Sequence, residues 1–283
     1  MESAIVSRTP TASRQAYASG IASVASFGLC VALLALLLSF IAKPWVELSL
    51  WRVFRRCVSI ASALSLWIFI QKLERRSFRS YGFASPRAGK RQFRFGVLLG
   101  LGALGLLFVM WSTLGACRVH ITPDLQKLWG TVLGFLPIAI LVGVLEELVF
   151  RGFILQHLMP YSKVLAVIAS SALYALVHLK AATLNLASWF ELGGLFLLGG
   201  VLALSYLLTQ QLYLAVGLHA VLAYGARVNK LLIEFTNPSI AWLVGTSRLV
   251  NGIASWVVLL GMGGVVVWWV QWSHEGGVPH GNA

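Results

Sequence analysis

The sequence predicts an all-α fold, a polytopic integral membrane bundle of about eight transmembrane helices of about 20 residues each. Two observations carry this. Of 283 residues, 58% are hydrophobic and only 11% are charged, too little charge to cover a soluble surface of this size. The apolar residues also fall in runs of about 20, the length that a hydrocarbon core of about 30 Å requires of a helix.

In chain order, residues 1–19 are polar, carry Arg8 and Arg14, and read as an N-terminal tail. The run that follows has span length, so it is an uncleaved anchor rather than a signal peptide. The region 20–127 holds three expected spans near 20–42, 57–71 and 95–116, an interfacial lead-in at 44–56 rich in Trp and Arg, and a basic loop at 72–94. Residues 128–226 form the expected catalytic segment, with spans near 131–157, 162–186, 188–208 and 209–226. A C-terminal region, 227–272, ends in a span at 252–272, preceded by a loop with a half-buried helix expected at about 240–244. Residues 273–283 are a second polar tail.

The net charge of +13 is not a nucleic-acid signature, because the basic residues cluster beside spans. Loop 72–94 contains Lys72, Arg75, Arg76, Arg79, Arg87, Lys90, Arg91 and Arg94 against Glu74, whereas 117–130 has only Arg118 and Lys127. The positive-inside rule then makes loop 72–94 cytoplasmic and, with eight spans, both termini cytoplasmic, in the cell (inner) membrane. Arg227, Lys230 and Arg248 fall on the opposite side in this reading. Cys30, Cys57 and Cys117 have no motif spacing and read as packing residues. Trp111, Trp129, Trp189, Trp268 and Trp269 sit at expected span ends, like an aromatic belt. Gly96, Gly100, Gly193, Gly194, Gly199 and Gly200 are candidates for close helix contact.

The candidate chemistry begins at Glu146 and Glu147, two of only nine acidic residues, placed together inside an apolar run. A charge at that depth costs roughly 2.5–3.5 kcal/mol on insertion scales, and such residues usually face a cavity and carry function. The pattern is E-E-x-x-x-R, ending at Arg151. On a helix Glu147 and Arg151 stand one turn apart and can pair, while Glu146 points about 100° away and is free to activate a water. A structural salt bridge would explain Glu147 and Arg151 but not Glu146. Tyr174 and His178 lie one turn apart in the next span, and His219 lies in a later one. His120, His157, His274 and His280 fall in loops, at a helix end or in the tail and read as incidental. The chain has no H-E-x-x-H, no G-x-S-x-G, and a single aspartate, Asp124, which excludes zincin, serine-elbow and aspartyl-dyad arrangements.

E-E-x-x-x-R, an aromatic-x-x-x-His about 30 residues later, and a histidine in a further span together resemble the CPBP family of intramembrane proteases, which includes the CAAX prenyl endopeptidases and bacteriocin-processing proteins. The resemblance covers roughly 128–226. It implies hydrolysis of a peptide bond in a membrane-tethered peptide or protein by a water that Glu146 activates. Glu147 and Arg151 would support that base, Tyr174 would take the family's phenylalanine position, and His178 and His219 would hold the water or stabilise the oxyanion. It leaves zinc open as a cofactor, with Glu146, His178 and His219 as candidate ligands. The expected partners are such a substrate and the lipid bilayer, with no nucleic acid. The third motif departs from the family at Ala223, where an Asn or Asp is usual. That departure keeps a second reading alongside the first, a catalytically weak or silent relative acting as an immunity or binding protein. A transporter is a third reading, disfavoured by the lack of an internal repeat.

Overall fold

The computed structural model describes residues 10–83, 86–178, 185–246 and 248–275. The regular structure among them is helical apart from one pair of three-residue strands. In order the elements are α1 (Pro10–Ala42), α2 (Leu50–Leu73), α3 (Pro86–Thr113), β1 (Cys117–Val119), α4 (Leu125–Leu158), α5 (Lys163–His178), α6 (Leu186–Thr209), α7 (Tyr213–Leu232), β2 (Ile233–Phe235), α8 (Ala241–Val244) and α9 (Ile253–Glu275). The all-α bundle is therefore as the sequence predicts.

Among the described residues, six helices are long and apolar enough to cross a membrane: α1 to α4, α6 and α9. The two other expected spans correspond to α5, at 16 residues, and α7, whose apolar run is interrupted by His219, Arg227, Asn229 and Lys230. These two carry the candidate histidines.

Several boundaries differ from expectation. Helix α1 already begins at Pro10, inside the expected polar tail, and α2 at Leu50, inside the expected lead-in. The basic stretch 72–94 is partly helical, because α3 starts at Pro86, where a fixed φ suits a first turn. The expected helix near 240–244 is present as a tight turn, Pro238–Ile240, running into α8. Residues 1–9 and 276–283 of the expected tails, and 179–184 of the expected fifth span, lie outside the described residues.

The chain divides into two compact units. One comprises the residues up to Ser77 together with Phe153–Ala166. Its core is α1 against α2, where Ala35, Val53, Cys57 and Ala61 pack together, and where Phe27, Phe69 and Phe153 meet ring to ring at 4.8–5.7 Å. His157, read from sequence as incidental, is half-buried here, with Nε2 3.0 Å from Glu74 Oε1 and Nδ1 donating to the Phe153 carbonyl at 2.8 Å.

The second unit, Phe78–Gly152 with the residues from Val167 onward, contains every candidate catalytic residue. Its helices approach closely through glycines, since a lipid-soluble bundle relies on packing where water exclusion drives nothing. A side chain at Gly96 would meet the backbone of Leu214 and Leu218, and one at Gly217 would meet the Phe93 carbonyl, so α3 and α7 touch backbone to backbone. Gly193 and Gly194 likewise face Trp256 and Val250, and Gly199 faces Ser171, whereas Gly200 has no such neighbour within 4 Å.

The aromatic belt is only partly realised. Trp129, Trp189 and Trp268 are exposed, but Trp111 is buried and donates its indole N–H to the Val244 carbonyl at 2.9 Å. Trp269 is buried against Phe95, stacked at 4.3 Å. An indole turned inward needs an acceptor, and the carbonyl that ends α8 supplies it.

Helix α4 starts at the chain's one aspartate. Asp124 caps it by accepting from the Lys127 N–H at 2.9 Å. β1 pairs antiparallel with β2, placing Arg118 opposite Glu234, with guanidinium contacts at 2.7 and 2.8 Å. The hydrogen bond from Arg118 holds the exposed Glu234 carboxyl below the usual range.

Candidate active site

Three of the candidate residues stand where α4 changes its winding. The helix is α-helical to Glu147 and π-helical over Leu148–Leu155. Such widened turns are frequent at functional sites, although a second one, Ile68–Leu73, belongs to the other unit and holds none of these residues. The expected pair across the junction forms: Arg151 Nη1 donates to Glu147 Oε1 at 2.8 Å, and both side chains are 0% exposed. The second arm of the guanidinium donates to the Gly199 carbonyl of α6 at 2.9 Å, and its centre lies 4.9 Å over the Tyr174 ring. A lysine could not replace this planar fork, which binds two acceptors in different directions and stacks on a ring.

Glu147 has a second role that the sequence pattern did not reveal. The same Oε1 lies 2.7 Å from His219 Nδ1. A carboxylate already held by arginine accepts, so Nδ1 carries the hydrogen and Nε2 of His219 faces away from Glu147. His178 is oriented in a parallel way: its Nδ1 is 2.8 Å from the Tyr174 carbonyl, which can only accept. In both histidines the outward nitrogen is therefore Nε2. Both point at Glu146, with Nε2 to Oε2 distances of 3.1 Å for His178 and 3.6 Å for His219. Lone pairs on all three atoms would repel at this separation. A proton shared between a histidine Nε2 and the Glu146 carboxylate removes that repulsion.

The exposures divide the carboxylates as their spacing suggested. Glu146 is 25% and His178 27% exposed, against 0% for Glu147. Glu146, Tyr174, His178, His219 and Ala223 line a cavity of about 250 Å³. A water takes about 30 Å³, so the space admits water and a short stretch of chain. Tyr174 closes one side, tilted on His178 at 4.3 Å and edge-on to His219 at 5.9 Å. Asn229, a side-chain amide ten residues after His219 on the same helix, is not part of this cavity's lining. It sits in α7 beside a separate apolar cavity.

The three candidate zinc ligands, Glu146, His178 and His219, do come together. As placed they do not fit an ion: among the described residues no three His, Cys, Asp or Glu side chains are arranged to hold one. The two Nε2 atoms converge on a carboxylate oxygen instead of on a common empty point.

One functional candidate was missed. Glu191 of α6 lines the same cavity, is buried, and is paired with Arg248. The signal was present, since an acidic residue inside an apolar span is the argument that singled out Glu146.

The bundle is that of an integral membrane protein, and the cluster brings a carboxylate and two histidines to one cavity within it. Residues 128–224 match the family model described as Rce1-like, Type II CAAX prenyl endopeptidase Rce1-like. That match covers about a third of the chain and includes all six site residues, Glu146, Glu147, Arg151, Tyr174, His178 and His219. The segment that holds the site is thus similar to this family, which supports a protease of the CAAX class. Among curated proteins, none matches the chain.

Proposed function

We propose that this protein is an intramembrane endopeptidase that cuts a membrane-tethered peptide with a water activated by Glu146. The carrying observation is the convergence of two histidine Nε2 atoms, each oriented by a fixed acceptor, on one buried oxygen of the Glu146 carboxylate, whose side chain is partly exposed and lines a cavity. In this reading Glu146 removes a proton from the water as its oxygen attacks the scissile carbonyl carbon. The tetrahedral intermediate collapses, the C–N bond breaks, and the proton passes from Glu146 to the leaving amine. In its neutral form His219 presents a lone pair at Nε2 and accepts a hydrogen bond from the water. With a proton there it donates to the oxyanion, as does His178. Glu147 and Arg151 work through His219: the buried pair fixes the ring's tautomer and direction, as carboxylate–histidine pairs do elsewhere.

The substrate would be a lipid-anchored peptide, of which a prenylated C-terminal sequence is the form that the matching family's name suggests. The membrane is proposed to be the cell (inner) membrane, with both termini cytoplasmic. A second reading keeps the binding and loses the chemistry. It is motivated by Ala223, which lines the cavity where the family has an amide or carboxylate. Removing one oxyanion donor costs about 10²–10³ in rate, which weakens an enzyme but does not silence it.

The test is cleavage of lipid-tethered peptides by the purified protein in proteoliposomes, with and without EDTA. The expected result is the same products at an unchanged rate under chelation, because no metal takes part in the steps above. A rate that collapses with EDTA and returns with zinc would overturn the metal-free scheme. No cleavage of any such peptide would favour the silent reading.

A further inference from the structure

Helix α7 has a second cavity behind it. On the face opposite His219, the residues Ala220, Val221, Tyr224, Gly225 and Val228 form one wall of a groove of about 790 Å³ shared with α3 and α4. At about 30 Å³ per water-sized group, a whole hydrocarbon chain fits in it. Both α3 and α4 are long and apolar enough to cross a membrane. Leu101, Phe108, Leu136 and Ile140 belong to the lining and are exposed, so the groove opens toward lipid rather than water.

Three side chains in the lining are polar, and two of them are satisfied. Tyr224 donates its hydroxyl to the Val132 carbonyl at 2.9 Å, and Trp111 donates its indole N–H to the Val244 carbonyl at 2.9 Å. The third, Asn229, is only 8% exposed, and its Nδ2 is buried with no hydrogen-bond partner among the described residues. A buried N–H without an acceptor is costly, so the amide marks where an acceptor belongs. Water suits the position badly, because it needs about two to four polar partners and finds one free. The depth of Asn229 narrows the choice further. Gly100 faces Val221 and Leu104 faces Gly225, so α3 and α7 run parallel in register, and Asn229 lies level with Phe108. From Phe108, α3 continues only to Thr113, about 7 Å at about 1.5 Å per residue. Near the end of a span the hydrocarbon core gives way to the headgroup region. A glycerolipid carries its ester carbonyls at that boundary.

We propose that this groove binds a bilayer glycerolipid, with an acyl chain along α3 and α7 and an ester carbonyl accepting from Asn229 Nδ2. The occupant is not the anchor of a substrate, because α7 stands between the groove and the cavity at Glu146, and α3 and α7 touch backbone to backbone at Gly96 and Gly217. The site is independent of the chemistry at Glu146. A bound chain supports the outer face of the helix that carries His219.

The test uses the full-length protein, stripped of lipid in detergent and then given one of two probes. These are dioleoyl phosphatidylcholine and its diether analogue, which has the same chains and headgroup but no ester carbonyl. Bound lipid is counted by native mass spectrometry across a titration. One diester lipid is expected to bind about three- to tenfold more tightly than the diether, the worth of one hydrogen bond. Asn229→Leu should still bind a lipid but treat the two probes alike. Gly105→Phe fills the groove from a position where an added Cβ meets nothing within 4 Å, and it should lose the bound lipid while keeping its melting temperature. Equal affinity of the wild-type protein for both probes, a diester preference that survives Asn229→Leu, or undiminished binding to Gly105→Phe overturns the proposal.

Discussion

Replacing Glu146 with glutamine is expected to slow peptide hydrolysis by about 10²–10⁴-fold, the usual worth of a positioned general base, and to leave the thermal midpoint where it is. Glutamine keeps the size of the side chain and an oxygen for the histidines, but it cannot take a proton from water. Nothing in the packing opposes the change, because Glu146 is partly exposed to its cavity and makes no pair with Arg151. The check is kcat with a lipid-tethered peptide, alongside a melting curve in detergent. Equal loss of rate and fold would mean that Glu146 is a structural group, and a retained rate would mean that the base is elsewhere.

Arg151→Met is expected to have the opposite signature, destabilising the protein by about 3–5 kcal/mol, the cost of leaving a fully buried charge without its partner. Glu147 would be that charge: it is 0% exposed, and one of its oxygens receives both Arg151 and His219. The substitution also removes a hydrogen bond to the Gly199 carbonyl and the cation from the Tyr174 ring. Pairing it with Glu147→Gln takes away the orphaned charge, so the double variant should regain much of the stability. Activity should stay low, because His219 would then lose the carboxylate that orients it. Unfolding titrations in mixed detergent micelles measure the first effect and peptide cleavage the second. A single Arg151→Met variant as stable as wild type would contradict the buried-pair account.

Much of this was legible in the sequence because the membrane makes charge conspicuous. Glu146, Glu147 and Arg151 stood out in an apolar run, and helical spacing correctly paired the last two. What spacing cannot give is contact between helices. The bond from His219 to Glu147 joins residues 72 apart, and only the fold reveals that one carboxylate serves both the arginine and the histidine. The same limit explains Lys230 and Arg248. Both had been counted as loop charges for orientation, yet both line the cavity. Six of the eight expected spans coincide with long apolar helices, while α7 carries His219, Asn229 and Lys230, polar residues that weaken the apolar signal identifying a span. The strands Cys117–Val119 and Ile233–Phe235 were invisible for a different reason, since three residues are too few to show alternation.

The central claim is that a water held at Glu146 attacks the peptide bond directly. Single-turnover cleavage in oxygen-18-labelled water, followed by mass spectrometry of both product and protein, tests it most directly. The account predicts one labelled oxygen in the newly formed C-terminal carboxylate, none in the side chain of Glu146, and labelled product from the Glu146→Gln variant only about 10²–10⁴-fold more slowly. Label found in Glu146 would identify it as a nucleophile that forms an acyl intermediate, and labelled product at the wild-type rate from Glu146→Gln would remove it from the mechanism.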